Sequence, residues 1–223
     1  MKNIAIKLVT LCLLSMFAFG KAFAIDLRYG ISGAIATLDA SGTETEGGEK
    51  SVTANVHNNF AMGSIFLELD QGTFALGLDY IPFDADVSNS THERSENETS
   101  VTDTETETTT ARVNTAAAEI SDHLTIYTRM MMGDVWYAHL GYVQMEIVTQ
   151  EKLETGSTYP DETVNGYQLG LGLKAGDRMR YEVLYTDYDD ISITASTTRA
   201  GVSPNNKIEA DLDTLQLKAS FAF

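Results

Sequence analysis

Eight charged residues sit inside segments that otherwise alternate apolar with small or polar residues: Arg28, Glu68, Asp79, Arg129, Lys174, Arg180, Glu182 and Lys218. Five of them are basic, in a chain with 32 acidic and only 15 basic residues. Charges at even spacing along a strand share one face, and on an enclosed face each needs an opposite charge or water. The expectation is an ion-pair network running from strand to strand. Such a network either plugs and stiffens a narrow interior or lines a selective pore, and the plug is preferred. His123 and His139 can point to the same side. A metal site would need further ligands at fixed distances, and a hydrolase would need a Ser and an acid beside the imidazole. No distinctive nucleophile motif accompanies either histidine, so the expected catalytic, cofactor and metal assignments are none, with hydrogen-bonded luminal histidines as the reading and a lipid hydrolase as the remote alternative.

A second set of charges has a different character. Glu93, Glu96, Glu98, Asp103, Glu105 and Glu107 stand in a Glu- and Thr-rich stretch with no apolar stripe. Further acids gather at Glu44, Glu46 and Glu49, at Glu151, Glu154, Asp161 and Glu162, and at Asp187, Asp189, Asp190, Glu209, Asp211 and Asp213. Oxygen-rich clusters attract Ca²⁺ or Mg²⁺, but no EF-hand-like spacing is present, so any such site is weak. The preferred reading is a solvated, mutually repelling acidic crown.

The elements that must position these groups are strands. The C-terminal ten residues put Leu215, Leu217, Ala219, Phe221 and Phe223 on one face and Thr214, Gln216, Lys218, Ser220 and Ala222 on the other. That is period-2 alternation, and a tilted strand crosses a bilayer in about ten residues. Seven more alternating segments precede it, including 27–38, 63–69, 74–83, 123–130, 167–175 and 179–185. The segment that starts at Trp136 is ambiguous; with Trp136, Ala138, Leu140 and Tyr142 outward, it needs an irregularity before Met145 and Ile147. Short turns at 70–72, 133–134 and 176–178 carry Gly and Asp, and long polar connections fall at about 40–53, 84–115, 152–164 and 196–208. Within the long acidic one, 84–115, the Glu- and Thr-rich stretch 93–110 is expected to be mobile or an irregular extension of its two flanking strands. Tyr29, Tyr80, Trp136, Tyr142, Tyr181 and Tyr185 lie toward strand ends, where amphipathic rings suit a membrane–water interface.

The N-terminus reads as an export signal: Lys2 and Lys7, an apolar run over 8–19, then Ala22-Phe23-Ala24 as a cleavage site. Removal of 1–24 takes three basic residues, no acidic one, and Cys12, the only cysteine, and moves the formal charge from −17 to −20. A surface so acidic excludes nucleic acid as a partner, because phosphate contact needs basic groups.

With its signal peptide, Phe221-Ala-Phe223, Leu169-Gly-Leu-Gly-Leu-Lys174 and Leu76-Gly-Leu-Asp-Tyr80, the chain resembles the small bacterial outer-membrane barrels of the OmpA/OmpX/OmpW type, as a barrel without a periplasmic domain. The resemblance covers the whole mature chain, 25–223. It implies an all-β fold, an eight-stranded antiparallel up-and-down transmembrane β-barrel, in the outer membrane of a Gram-negative cell. It also implies outer-membrane lipid and lipopolysaccharide as surroundings, an assembly signal at Phe221 and Phe223 read by the barrel-assembly machinery, and a monomer. The function expected is structural or surface-interacting, with exposed acidic loops over a plugged lumen. The alternative is a narrow pore or a conduit for small solutes or small apolar molecules.

Overall fold

The computed structural model describes residues 25–46, 49–86, 92–101, 107–152, 157–197 and 206–223. The expected signal peptide, Asp103 and Glu105 lie outside them. Eight antiparallel strands form one closed wall: β1 (Asp26–Glu46), β2 (Glu49–Asp70), β3 (Phe74–Ile81), β4 (Glu107–Met131), β5 (Trp136–Lys152), β6 (Glu162–Ala175), β7 (Met179–Tyr188) and β8 (Lys207–Ala222). Each pairs with its neighbours in chain order, and β8 returns to β1 over the register Gly30↔Ala222 to Thr45↔Lys207. Closure leaves the wall no free edge along the run where all eight strands pair. The three tight turns hold Gly72, Gly133 and Gly176 at positive φ (82°, 116° and 78°), where a Cβ would be strained.

In the lower half, nearest the tight turns, side chains alternate as a membrane barrel requires. Leu27, Tyr29, Ile31 and Ile35 of β1 are exposed on the outer wall, while Ser32 and Ala34 are buried. Ile65 and Leu67 face out from β2, with Phe66 and Glu68 in. On β8, Leu215, Leu217 and Phe223 are exposed, and Gln216, Ser220 and Ala222 are buried.

Two inward glycines make room for rings. A Cβ at Gly77 would stand 2.3 Å from Cζ of Tyr127, and one at Gly172 2.3 Å from Cζ of Tyr137. The Leu-Gly-Leu pattern at 76–78 and 171–173 therefore serves both faces at once: leucines to the outside, and space for an aromatic ring inside.

The strands do not stop at the height of a bilayer. β1, β2 and β4 run for 21, 22 and 25 residues, about twice what a tilted transmembrane strand needs. Above the lower half the pattern inverts. Leu38, Val143, Met145, Ile147, Val164 and Leu212 are buried in one apolar cluster with Ile120 and Tyr188. The outer face there carries Thr37, Asp39, Asn59, His57, Gln144 and Asp187. The upper barrel is built as a water-soluble one: greasy inside and polar outside.

This corrects the reading of the segment from Trp136. β5 alternates without a break, so Val143, Met145 and Ile147 continue the inward face begun by Tyr137 and His139. The irregularity lies in the neighbouring β4, where the register shifts between Ser121 and Leu124 and Asp122 takes φ 48°. The extra residue lets Ile120 and His123 both face inward. Two polar connections are also shorter than the sequence suggested. The first stretch, about 40–53, is mostly paired strand, with β1 and β2 joined up to Glu46↔Glu49. Within 84–115, His92–Val101 pairs with β4 from His92↔Ala116 to Val101↔Glu107. Backbone pairing with a long neighbour holds these Thr- and Glu-rich segments extended where their own side chains give no apolar signal.

Candidate functional site

The lower interior is a charge network drawing on all eight strands. Glu68, on β2, is the hub. It accepts from Arg129 Nε at 2.8 Å, from a second Arg129 nitrogen, from Arg180 Nη1 at 2.7 Å and from the Tyr127 hydroxyl at 3.0 Å. Both guanidinium groups also sit over aromatic rings, Arg129 over Tyr137 at 4.9 Å and Arg180 over Phe66 at 4.5 Å. These contacts replace the water a buried Arg loses.

Three further pairs surround the hub. Asp79 of β3 accepts from Lys218 Nζ of β8 at 2.7 Å and from the Ser64 hydroxyl at 3.1 Å. Glu182 of β7 lies 3.0 Å from Nδ1 of His139, whose ring stacks on Tyr127 at 4.9 Å. Near the tight turns, Asp70 stands 3.2 Å from Arg28 Nε and 3.9 Å from both Lys174 Nζ and an Arg129 nitrogen, while its carboxylate also accepts from the Gly72 amide at 2.7 Å. All eight charged residues singled out in the sequence thus stand on the inner side of the wall. The sequence reading passed over Asp70, which it gave to a turn, and the rings of Tyr127 and Tyr137. Each shares the phase of a residue the sequence had singled out two positions away: Asp70 with Glu68, Tyr127 with Arg129, Tyr137 with His139. That phase was the available signal.

Directly above, Nε2 of His123 lies 3.3 Å from the Tyr188 hydroxyl, and the apolar cluster begins. Leu38 and Val143 have no exposed surface and Met145 has 1 %. The lumen is therefore occupied twice over, by ion pairs below and by packed apolar side chains above.

No family model matches the chain, and no curated protein matches its sequence. Solved structures do match. The outer membrane protein AlkL, determined in lipid bilayers, aligns over 91 % of this chain and 93 % of its own at 13 % identity, with a TM-score of 0.51. The outer membrane protease OmpT from Escherichia coli covers 91 % and 99 % at 10 % identity and 0.48, and the outer membrane protein OprG from Pseudomonas aeruginosa 88 % and 95 % at 14 % and 0.47. The chain has the fold of the small outer-membrane β-barrels.

The outer surface of this barrel suits the membrane that fold implies. Its lower wall is a belt of exposed Leu, Ile and Val, and on five strands that belt ends within one outward step. Ile35 gives way to Thr37, Ala61 to Asn59, Tyr142 to Gln144, Tyr185 to Asp187, and Leu215 to Asp213. Tyr29, Tyr80, Trp136, Tyr181 and Tyr185 are exposed, and half-buried Tyr142 meets Tyr167 edge-to-face at 5.7 Å. Tyr167, 64 % exposed, is an outward ring the sequence reading omitted. At the lower rim Phe223 lies 5.4 Å from Phe221 and 5.9 Å from Tyr29.

Just above the belt, three carboxylates stand side by side on adjacent strands: Asp187↔Asp213 and Asp213↔Asp39. Nδ1 of His57 lies 2.5 Å from Asp39. Partial burial, then the neighbouring Asp39 and Asp187, push the Asp213 carboxyl above its ordinary value. Of the acids named in the 84–115 stretch, Glu93, Glu96, Glu98 and Glu107 fall on the paired strands. Among the described residues, no group of three or more His, Cys, Asp or Glu is arranged to hold a metal ion.

Proposed function

We propose that this outer-membrane barrel is a closed, surface-interacting protein whose task lies in the tall extension it raises above the membrane. The observation that carries the reading is the doubly filled lumen, with Glu68 binding Arg129 and Arg180 across the lower interior and Leu38, Val143 and Met145 fully packed above it. A water-filled path would have to part charge pairs that are costly to separate. An apolar solute entering from the top would have to displace side chains that already fill the space. What remains available for recognition is the outer wall of the extension, whose acidic residues would also repel neighbouring anionic surfaces unless divalent cations intervene.

The test is a planar-bilayer recording of the refolded protein at low and high salt. Current at the level of the bare membrane is the expected result. Steady unitary conductance abolished by substitutions at Glu68 would replace this reading with a pore.

A further inference from the structure

The lipid-facing wall carries a furrow of about 910 Å³ between two rows of outward side chains. The upper row passes from Ala61 of β2 through Ile35, Leu217 and Val183 to Leu171 of β6. The lower row starts with three small residues, Gly63, Gly33 and Ala219, and ends at Trp136 of β5. The furrow slopes, because the strands of a barrel are tilted. On β1 and β2 the upper row is the last of the belt, with Thr37 and Asn59 next above Ile35 and Ala61. On β6 Leu171 lies two outward steps below Tyr167. The furrow therefore opens at the outer edge of the belt and sinks from there into it.

The glycines at its outer end relieve no contact within the barrel. Gly77 and Gly172 make room for inward rings, but Gly33 and Gly63 face lipid. A Cβ on Gly33 would meet no atom within 4 Å, and one on Gly63 only the Ser32 carbonyl oxygen at 3.8 Å. Gly in a strand interior marks a bulge, a bend or the close approach of something from outside. The β1–β2 register runs unbroken through Gly33↔Gly63, its one shift lying between Glu44 and Thr45. Close approach is the cause that remains.

Size and charge identify the occupant. The two rows are two residues apart, about 7 Å along the strand, which suits a polymethylene chain and not a helix of about 10 Å diameter. Two outward steps above Ile35 and Leu217 stand Asp39 and Asp213, with Asp187 beside Asp213. Among the described residues Asp187 and Asp213 have no cationic partner, and Asp39 has only His57. The Asp213 carboxyl is raised by burial and then by its two neighbours, as like charges with no cation between them require.

We propose that the furrow holds one acyl chain of an outer-leaflet lipid whose amine-bearing head lies against Asp39 and Asp213. The chain gains dispersion contacts along the notch at Gly33, Gly63 and Ala219, and the ammonium relieves the repulsion among the carboxylates. This goes beyond the closed-lumen reading, and conductance does not bear on it.

Native mass spectrometry of the refolded protein, released from non-ionic detergent micelles at pH 8, tests the site. The probe is hexadecylamine, and palmitate is the control of equal chain length. Wild type is expected to take one hexadecylamine saturably and to prefer it to palmitate about tenfold. Gly33→Leu fills the notch from the lipid side and should weaken hexadecylamine binding about tenfold. Ala61→Leu is the same test at a second position, should Gly33→Leu fail to show the heat-modifiable gel mobility of a folded barrel. The double variant Asp39→Asn, Asp213→Asn should lose the preference over palmitate, and Met130→Leu, on β4 outside the furrow, should bind as wild type does. Equal binding by wild type and the notch variants, or a non-saturating series of adducts, would reduce the effect to general solvation of the belt and overturn the proposal. Equal binding of amine and palmitate by wild type would overturn it as well. So would a wild-type dimer that Gly33→Leu disperses, since that would assign the furrow to a second copy of this chain.

Discussion

At the scale of single residues, the lower lumen is held by a few groups that cannot be changed one at a time. Glu68 carries the charge that compensates two guanidinium groups. Glu68→Gln keeps the shape and removes that charge, leaving Arg129 and Arg180 in an interior with too little water. Breaking a buried pair in this way costs about 3–5 kcal/mol. Guanidinium chloride unfolding in micelles should show a loss of that order, and a loss no greater than that of exposed Asp211→Asn would contradict the hub role. Gly172→Ala acts through volume instead. Its Cβ would meet the Tyr137 ring, and overpacking of this kind costs about 1–3 kcal/mol. Tyr137→Leu in the same chain removes the obstructing ring atoms, so the double variant should recover part of the alanine's cost; purely additive losses would show that the ring is not what Gly172 accommodates.

At the scale of elements, the bulge in β4 decides which way the upper wall faces. Because Asp122 adds one residue, Ile120 joins the apolar cluster instead of pointing to water. Deleting Asp122 should turn 107–121 of β4 by one step and send Ile120 outward. The lower barrel should keep its heat-modifiable gel mobility while proteinase K cuts the extension faster than in wild type. Unchanged protection would mean that the register recovers elsewhere and the bulge is dispensable. Asp122→Gly is the milder companion: glycine adopts φ 48° freely, so it should cost little more than the lost hydrogen bond from Tyr80.

The same element shows where the sequence was readable and where it was not. Ile31, Leu67, Leu171 and Leu217 announce the lower strands because lipid on one side and a polar lumen on the other enforce period-2 contrast. Arg28, Glu68, Arg129 and Arg180 follow from the same phase. The upper strands also alternate, but with the polarity reversed, so a reader who carries the lipid face upward assigns Met145 and Ile147 to the wrong side or invents a break to save them. The break in β4 leaves only Ile120 and His123 three residues apart, a signal too short to locate without the neighbouring register. In 92–101 and 107–116 the sequence gives no apolar phase at all, and pairing of the one with the other fixes the extended conformation.

At the scale of the whole molecule, two barrels of opposite polarity share one set of strands, and electrostatics acts differently on each. Charges in the lower barrel are paired inward. Among the described side chains, those of the upper barrel are at least partly exposed and nearly all acidic, in a chain with 32 acids. Self-repulsion across that wall opposes the compact state. Asp213 has Asp39 and Asp187 on either side and meets that repulsion directly. Its carboxyl is raised in the folded state, first by burial and then by those two neighbours, so the native protein binds its proton more tightly than the unfolded chain does. The stabilising contribution is therefore complete below the ordinary carboxylate value of 3.8 and is lost as pH rises through the folded value. It follows that Asp213→Asn should raise the unfolding temperature at pH 7, where the wild-type carboxylate is charged, and leave it unchanged at pH 3, where Asp213 is already neutral. Added salt should narrow the pH 7 difference, because the opposing charges lie in water and are screened over about 8–10 Å near physiological ionic strength. Thermal scans of both proteins at the two pH values, with and without salt, test all three limbs. A variant no more stable than wild type at pH 7, or one stabilised equally at pH 3, would show that repulsion across the outer wall does not limit the extension.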